Sequence, residues 1–195
     1  MKKIISLYGQ PGCGKTTQAL LLQKNYGFSI FGMGETLRAE IASGSELGQK
    51  IKPAVDAGLL IPDECMEQII SNAGEKANEV GLVFDGFPRM VSQAEMLKKV
   101  TAEAGLKSDA FIYLRLDAPE ALRRIKNRAA LGQAERGDDL DEQAIKNRFA
   151  AFEKQSVPLL DYYRKQNKLH EIDGSLSIEG VYEEIVKTLR AKGVL

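Results

Sequence analysis

Nine residues near the start of the chain, GQPGCGKTT at 9–17, have types and a spacing suited to binding a polyphosphate. Gly9, Gly14, Lys15 and Thr16 fit the pattern GxxxxGK[ST] between an apolar run and a helical pattern, which is the context that this motif requires. Glycines let consecutive backbone amides wrap closely around an anion at a helix N-terminus. The lysine would reach the β- and γ-phosphates, and one of the two threonines that follow it would face Mg²⁺ directly or through water.

A second chemical segment is GLVFDGFPRMVSQ at 81–93. Its apolar run ends in Asp85, where a magnesium-positioning carboxylate would lie beside the phosphate loop at the carboxyl edge of a sheet. Gly86 and Pro88 then predict a turn that presents Arg89. Arginine suits phosphoryl transfer because its planar fork binds phosphate oxygens in a bidentate way and stays protonated.

Short β-rich runs followed by helical patterns must position these residues. The predicted strand and helix pairs are KIISLY and KTTQALLLQKNYG, FSIF and GETLRAEIASG, GLVFD and SQAEMLKKVTAEAG, DAFIYLRLD and PEALRRIKNRAA, and KLHEID and SIEGVYEEIVKTLRAK. Five such pairs predict a doubly wound α/β fold with a five-stranded parallel sheet, in a single domain over 1–195. Residues 32–80 hold enough helical sequence for an inserted helical subdomain, and 128–141 predict a short mobile loop.

Helical spacing predicts which helix faces are buried. The first helix should pack on the sheet through Ala19, Leu20, Leu22 and Tyr26, and the last through a face that begins at Ile178. A further helix at about 141–166 contains Pro158, which predicts a kink.

The composition of the chain limits which partners and which cellular compartment we expect. The chain of 195 residues carries 27 basic and 27 acidic side chains, which argues against a nucleic-acid or membrane-surface partner. Its two cysteines, Cys13 and Cys65, are too few for a disulfide framework and lack metal-ligand spacing. We therefore expect a cytoplasmic protein without zinc. No apolar interface for self-association is evident in the sequence, so we expect a monomer.

Taken together, the motifs resemble those of the adenylate kinases within the nucleoside monophosphate kinase family. The matching stretches are GQPGCGKTTQ, GETLR at 34–38, DAGLLIPDE at 56–64, DGFPRMVSQ, RRIKNR at 123–128, RGDD at 136–139 and DGS at 173–175. The resemblance spans nearly the whole chain and implies a P-loop NTPase-type fold, in which 32–80 binds the nucleoside monophosphate and 128–141 is a short lid. It implies ATP:AMP phosphotransfer, reversible from two ADP, with Mg²⁺ bound to ATP.

Site residues carried over from the resemblance fall into four sets. The catalytic set is Lys15, Arg89, Arg128, Arg136 and Arg148. The ATP-binding set is Gly12, Cys13, Gly14, Lys15, Thr16, Thr17, Arg124, Arg128 and Gly174. The AMP-binding set is Met33, Arg38, Leu59, Leu60, Ile61, Gly86, Phe87, Pro88, Arg89, Gln93, Arg136 and Arg148. Thr16 and Asp85 would position Mg²⁺, largely through water.

Several departures from the family pattern bear on these roles. Met33 stands where family members usually have threonine on the AMP side, and Glu35 where they have aspartate. Thr16 replaces the glycine that commonly follows the loop lysine. Between RGDD and Arg148 the chain has one residue more than such relatives, and AALGQAE fills the place where long-lid members carry a small domain.

Alternative functions remain open at this point. A UMP/CMP kinase of the same architecture would be expected to have asparagine in place of Gln93, so glutamine favours AMP, whereas Met33 keeps that alternative open. A low-turnover nucleotide-binding module would be expected to lack Lys15 or the arginines, which this chain retains. A GTPase would be expected to have an NKxD motif, which is missing from this sequence. Arg136 and Arg148 could instead be surface charges, Cys13 a loop filler and His170 structural.

Overall fold

The computed structural model describes residues 2–75, 78–103, 107–131 and 141–195. A five-stranded sheet runs through it in the order β2-β3-β1-β4-β5. The strands are β1 (Lys3–Tyr8), β2 (Ser29–Gly32), β3 (Gly81–Asp85), β4 (Lys107–Arg115) and β5 (Leu169–Asp173). All four strand pairings are parallel, which confirms the predicted fold class.

Helices connect each strand to the next. They are α1 (Lys15–Tyr26), α2 (Met33–Ala42), α3 (Glu46–Asp56), α4 (Asp63–Glu75), α5 (Val91–Glu103), α6 (Ala118–Ala130), α7 (Glu142–Lys165) and α8 (Ile178–Ala191). Three of them, α2, α3 and α4, lie between β2 and β3, where the sequence predicted an insertion. The predicted lid at 128–141 lies mostly outside the described residues.

The face of α1 that packs on the sheet differs from the prediction. Ala19 and Leu22 are fully buried, but Leu20 is 53% exposed and its predicted packing role is wrong. The polar Gln18 is buried beside them, because its side-chain amide donates to the backbone oxygen of Ile178 over 3.0 Å. Ile178 is 54% exposed, so the buried face of α8 begins one turn later, at Val181.

The long helix α7 continues through Pro158 from Glu142 to Lys165. Pro158 is exposed, so the carbonyl that loses its helical partner faces water. A second proline, Pro53, lies inside α3 and was not singled out by the sequence.

Alternating side chains of β1 divide the core. Ile4 packs with Phe31 and Phe84 on one face, and Ile5 and Leu7 pack against α1 and α8 on the other. A third cluster lies under α7 and α5 and contains Tyr8, Ala94, Phe111, Leu159 and Tyr163. This aromatic cluster supports the carboxyl end of the sheet, where β1 enters the glycine loop.

Candidate active site

The loop between β1 and α1 can hold its shape only with glycine at two positions. Gly9 has φ of +151°, and a Cβ atom there would lie 2.6 Å from the backbone oxygen of Leu114. Gly12 has φ of +83°, and its Cβ would lie 2.6 Å from the backbone oxygen of Ala121. Both distances are shorter than the closest non-bonded approach of a carbon and an oxygen atom. Only glycine therefore lets the loop backbone pack so tightly against β4 and α6.

Lys15, the first residue of α1, folds its side chain back over this loop. Its Nζ atom donates to the backbone oxygens of Gly9 at 2.8 Å and Gln10 at 3.0 Å. The ammonium group also lies 3.5 Å from the sulfur of Cys13. Cys13 is 2% exposed and packs into the core, as the filler interpretation expects. Gly12, Gly14 and Thr17 line the cleft described below.

The predicted magnesium residues meet at the end of β3. Thr16 donates from its hydroxyl to a carboxylate oxygen of Asp85 over 2.6 Å. The parallel register pairs Leu7 with Asp85, so the carboxylate lies beside the end of β1 and the start of the loop. Hard oxygen ligands of this kind suit Mg²⁺. Among the described residues there is no group of three or more His, Cys, Asp or Glu side chains that could hold a metal.

Several cationic side chains line one cleft of about 470 Å³ in front of the loop. They are Lys15, Arg89, Arg124, Arg128 and Arg148. Arg89 is aimed by its own turn, since its Nε donates to the backbone oxygen of Gly86 at 2.9 Å. Arg136 lies outside the described residues. Arg38 lines a second groove, which it shares with Thr16, Glu35 and Asp85.

Arg124 and Gly174, predicted to contact the base of ATP, are in direct contact. The guanidinium donates from Nη1 to the backbone oxygen of Gly174 at 3.0 Å and from Nε to Glu120 at 2.8 Å. Hydrogen bonds from Arg123 and Arg124 lower the pKa of Glu120 from its ordinary value of 4.5 to about 2. Sequence reasoning missed Glu120, although its i,i+4 spacing to Arg124 is a recognisable signal.

The predicted AMP-binding residues are more dispersed. Leu60 and Gly86 line the cleft with Arg89 and Arg148. Met33, Ile61 and Phe87 are buried in the apolar cluster around Phe84, Pro88 is buried, and Leu59 is 54% exposed. Met33 occupies the position of the expected threonine, and its side chain packs within the core.

Gln93 is fully buried beside this group. Its Oε1 accepts from the backbone N–H of Arg89 at 2.8 Å, which fixes the orientation of the amide. Its Nε2 has no hydrogen-bond partner within the part of the chain that the structure describes.

An unpredicted contact joins the inserted helices to α7 across the cleft. Asn147 donates from Nδ2 to the backbone oxygen of Ala57 over 2.8 Å. A Cβ atom on the neighbouring Gly58 would lie 2.7 Å from the backbone oxygen of Ala144, so the two backbones touch there. The segment between α3 and α4 therefore closes one end of the cleft against α7.

His170 takes no part in the cleft. It is half-buried on β5, and burial lowers the pKa of its imidazole. Its Nε2 has no hydrogen-bond partner among the residues described. Its position fits the structural interpretation, and phosphoryl transfer requires no histidine base there.

A parallel sheet with a glycine loop after its central strand, facing a cleft lined by arginines, defines the class of P-loop nucleotide-binding proteins. Residues 7–168 match the family model described as Adenylate kinase. The chain belongs to the adenylate kinase family, which confirms the predicted family and the predicted kinase activity class.

Proteins that carry the name adenylate kinase resemble this chain over most of its length. One from Caulobacter sp. (strain K31) is 44% identical over 176 residues, which cover 90% of this chain and 92% of that protein. One from Bacteroides thetaiotaomicron is 38% identical over 189 residues, covering 95% of this chain and 97% of that protein. One from Caulobacter vibrioides (strain NA1000 / CB15N) is 42% identical over 184 residues, covering 94% and 95% respectively. These matches do not favour the UMP/CMP alternative.

None of the helices in the described ranges is both long enough and apolar enough to span a membrane.

Proposed function

We propose that this enzyme binds the phosphates of ATP on the loop at 9–17 and the phosphate of AMP beside Arg89, and transfers the γ-phosphoryl group between them to give two ADP. ATP:AMP phosphotransfer is the activity that its family membership supports. The observation that carries the assignment of the site is the convergence of Lys15, Arg89, Arg128 and Arg148 on one cleft in front of the loop.

Charge neutralisation is the main work of such a cleft. An oxygen of the AMP phosphate attacks the γ-phosphorus while the bond from that phosphorus to the β,γ-bridging oxygen breaks. The attacking oxygen is already ionised, so the reaction needs positioning and charge stabilisation and no general base. Guanidinium groups from three separate segments, at Arg89, Arg128 and Arg148, would stabilise the charge on the equatorial oxygens. Arg136 remains a predicted fourth member of this set.

Thr16 and Asp85 would hold Mg²⁺, because a hydroxyl and a carboxylate already in contact supply hard oxygen ligands next to the loop lysine. When bound, Mg²⁺ neutralises charge on the phosphates. Asp85 would orient water in its coordination sphere, and Thr16 would contact the ion directly or through such a water. The presence of Thr16 brings this loop close to the general GK[ST] pattern.

Base selection is proposed to depend on Gln93 and Arg124. The Nε2 donor of Gln93 has no partner among the described residues, so an adenine ring nitrogen would satisfy a donor that is otherwise unpaired in an apolar setting. Arg124, held between Glu120 and Gly174, presents a flat guanidinium on which the adenine of ATP can stack. The AMP contacts of Met33, Arg38, Leu59 and Ile61 remain predictions.

We further propose that the insertion at 32–80 and the lid at 128–141 close on bound nucleotides. Closure excludes water, which would otherwise accept the phosphoryl group. The contact of Asn147 with Ala57 supports this proposal, because it already joins the insertion to α7 at one end of the cleft.

The first experiment mixes the purified protein with Mg·ATP and, in separate reactions, with AMP, UMP, CMP, GMP or dAMP, and follows the diphosphates formed. We expect AMP to dominate. A preference for a pyrimidine would favour the UMP/CMP alternative, and no transfer to any acceptor would favour a nucleotide-binding module.

The matched variant for the site assignment is Arg89→Ala. It should reduce kcat/KM for AMP by about 10²- to 10³-fold, because the substrate loses a bidentate cation in the cleft. Arg190→Ala, on α8 at the far end of the chain, is the control and should leave turnover unchanged. Wild-type activity in Arg89→Ala would contradict the proposed acceptor site.

A monomeric, cytoplasmic enzyme is also proposed, on the balanced charge and the two free cysteines. Sedimentation velocity at micromolar concentration would test the first part, and subcellular fractionation the second.

A further inference from the structure

Tyr8 is an aromatic residue of the cleft to which no role has yet been given. It is the last residue of β1 and directly precedes Gly9, where the glycine loop begins. It lines the same cleft as Lys15, Arg89 and Arg148. Only 3% of its surface is exposed, so it belongs to the floor of the cleft rather than to its rim.

The ring of Tyr8 is held by three aromatic neighbours. Its centroid lies 5.3 Å from that of Phe111, 5.9 Å from that of Tyr113 and 5.4 Å from that of Phe152. Packing on several sides fixes the ring, so its hydroxyl is in place before a ligand binds and no side-chain freedom is lost on binding.

The hydroxyl group of Tyr8 has no hydrogen-bond partner within residues 2–75, 78–103, 107–131 and 141–195. Burial raises the pKa of this phenol, and the Arg89 guanidinium is near enough to oppose part of that rise. The phenol therefore stays protonated at neutral pH and can donate. The hydroxyl is not one of the fully buried polar atoms that lack a partner, so it reaches the open cleft, where a bound ligand can accept its hydrogen bond.

The packing neighbours of the Tyr8 ring lie on the α5 and α7 side of the cleft. Tyr8 packs with Ala94 of α5 and Phe152 of α7. The arginines on that side belong to the same part of the chain, since Arg89 lies two residues before α5 and Arg148 lies within α7. The ring thus lies on the side of the cleft where the monophosphate is proposed to bind.

We propose that the Tyr8 hydroxyl donates a hydrogen bond to a phosphate oxygen of the bound nucleoside monophosphate, beside Arg89. The inference rests on the proposed function, because it takes the acceptor phosphate to lie next to Arg89. A neutral donor differs from the arginines in its effect. It orients one phosphate oxygen without adding positive charge that would slow release of the product.

The test compares Tyr8→Phe with Tyr163→Phe. Tyr163 belongs to the same cluster, is also 3% exposed and stacks on Phe111, but it does not line the cleft. Each substitution removes one hydroxyl and keeps the ring. Steady-state kinetics with AMP and with ATP varied separately, AMP titration calorimetry and thermal unfolding are measured for both variants and for the wild type.

We expect Tyr8→Phe to raise the KM for AMP about tenfold, as for a hydrogen bond to a charged acceptor, and to weaken AMP binding in calorimetry by the same factor. Its KM for ATP should stay within about twofold of wild type, and Tyr163→Phe should match the wild type in both substrates. Unchanged unfolding temperatures would show that the loss is not one of packing.

An unchanged KM for AMP in Tyr8→Phe would overturn the inference. So would an equal rise in Tyr163→Phe, or a loss confined to kcat, since neither follows from a contact with the bound monophosphate. Failure of the proposed function would be seen separately, as a wild-type protein that phosphorylates no AMP.

Discussion

The two halves of the cleft are built in different ways. The part of the donor side proposed to bind the ATP phosphates is one continuous segment, in which β1, the loop and the start of α1 follow one another over 3–17. The proposed acceptor side collects Arg89 from the turn before α5 and Arg148 from α7, while the predicted AMP residue Arg38 lines a neighbouring groove. The first is therefore fixed by backbone geometry and the second by tertiary packing, so substitutions in them should fail in different ways.

The largest effect is expected on the donor side. Lys15→Ala should lower kcat about 10³-fold, because it removes a preorganised cation from the transferring phosphates. Lys15 Nζ contacts only the loop itself in the described structure, at Gly9, Gln10 and Cys13, so the fold should persist. A coupled ADP assay and thermal unfolding measure the two quantities, with Lys24→Ala in the last turn of the same helix as control. Activity within tenfold of wild type would contradict the role given to the loop.

A second pair of variants tests whether the donor loop is fixed by its backbone. Gly12→Ala meets both a positive φ and the oxygen of Ala121, and should reduce the free energy of unfolding by about 2 to 3 kcal/mol. Gly14→Ala has φ of +96° but nothing within 4 Å of its Cβ, and should lose only about 1 kcal/mol. Urea unfolding of both proteins decides the matter. Equal losses would mean that close packing of the loop on α6 contributes nothing.

On the acceptor side, loss of the single hydrogen bond between Asn147 and Ala57 should have a smaller effect on activity. Asn147→Ala removes the hydrogen bond to Ala57 that joins the insertion to α7, and should raise the KM for AMP about two- to fivefold, corresponding to about 0.4 to 1 kcal/mol. Gln143→Ala is the control, because Gln143 also bonds Asn147 but not the insertion. If both variants raise the KM for AMP equally, the effect comes from a change at the surface of α7 and not from the contact with the insertion.

The smallest effect concerns Glu120, which holds Arg124. Its pKa is lowered to about 2, so its ionised form stabilises the folded protein above pH 4.5, and that contribution is lost as the pH falls from 4.5 through about 2. Glu120→Gln should therefore be less stable than wild type at pH 7, and the difference should shrink across that window. Guanidinium unfolding at several pH values measures it. A difference that persists unchanged at pH 2 would show that the carboxylate charge is not its source.

The same contrast explains what could be predicted from the sequence. The order of strands and helices and the loop at 9–17 follow from local patterns, so they were predicted closely. The proximity of Thr16 and Asp85 was foreseen as well, since the end of β3 and the loop that leads from β1 into α1 lie at the same edge of a parallel sheet.

Features that depend on tertiary packing were missed. The burial of Gln18 in place of Leu20 depends on an acceptor supplied by α8. The contact between Asn147 and Ala57 depends on where α7 crosses the insertion. Tyr8 was not distinguished from other strand residues in the sequence, because no local pattern shows which side chain at the end of a strand will face a cleft.

The length of α7 makes the position of Arg148 sensitive to how the helix packs on the sheet. Near its C-terminal end Tyr163 stacks on Phe111 of the sheet, with ring centroids 3.9 Å apart. Arg148 lies fifteen residues earlier on the same helix, about 22 Å away at the rise of an α-helix. A tilt of about 5° about that contact would move the guanidinium by about 2 Å, and it would also strain the hydrogen bond from Asn147 to Ala57. A displacement of that size is enough to make or break a hydrogen bond to a phosphate, so the role proposed for Arg148 depends on how α7 is held against the core.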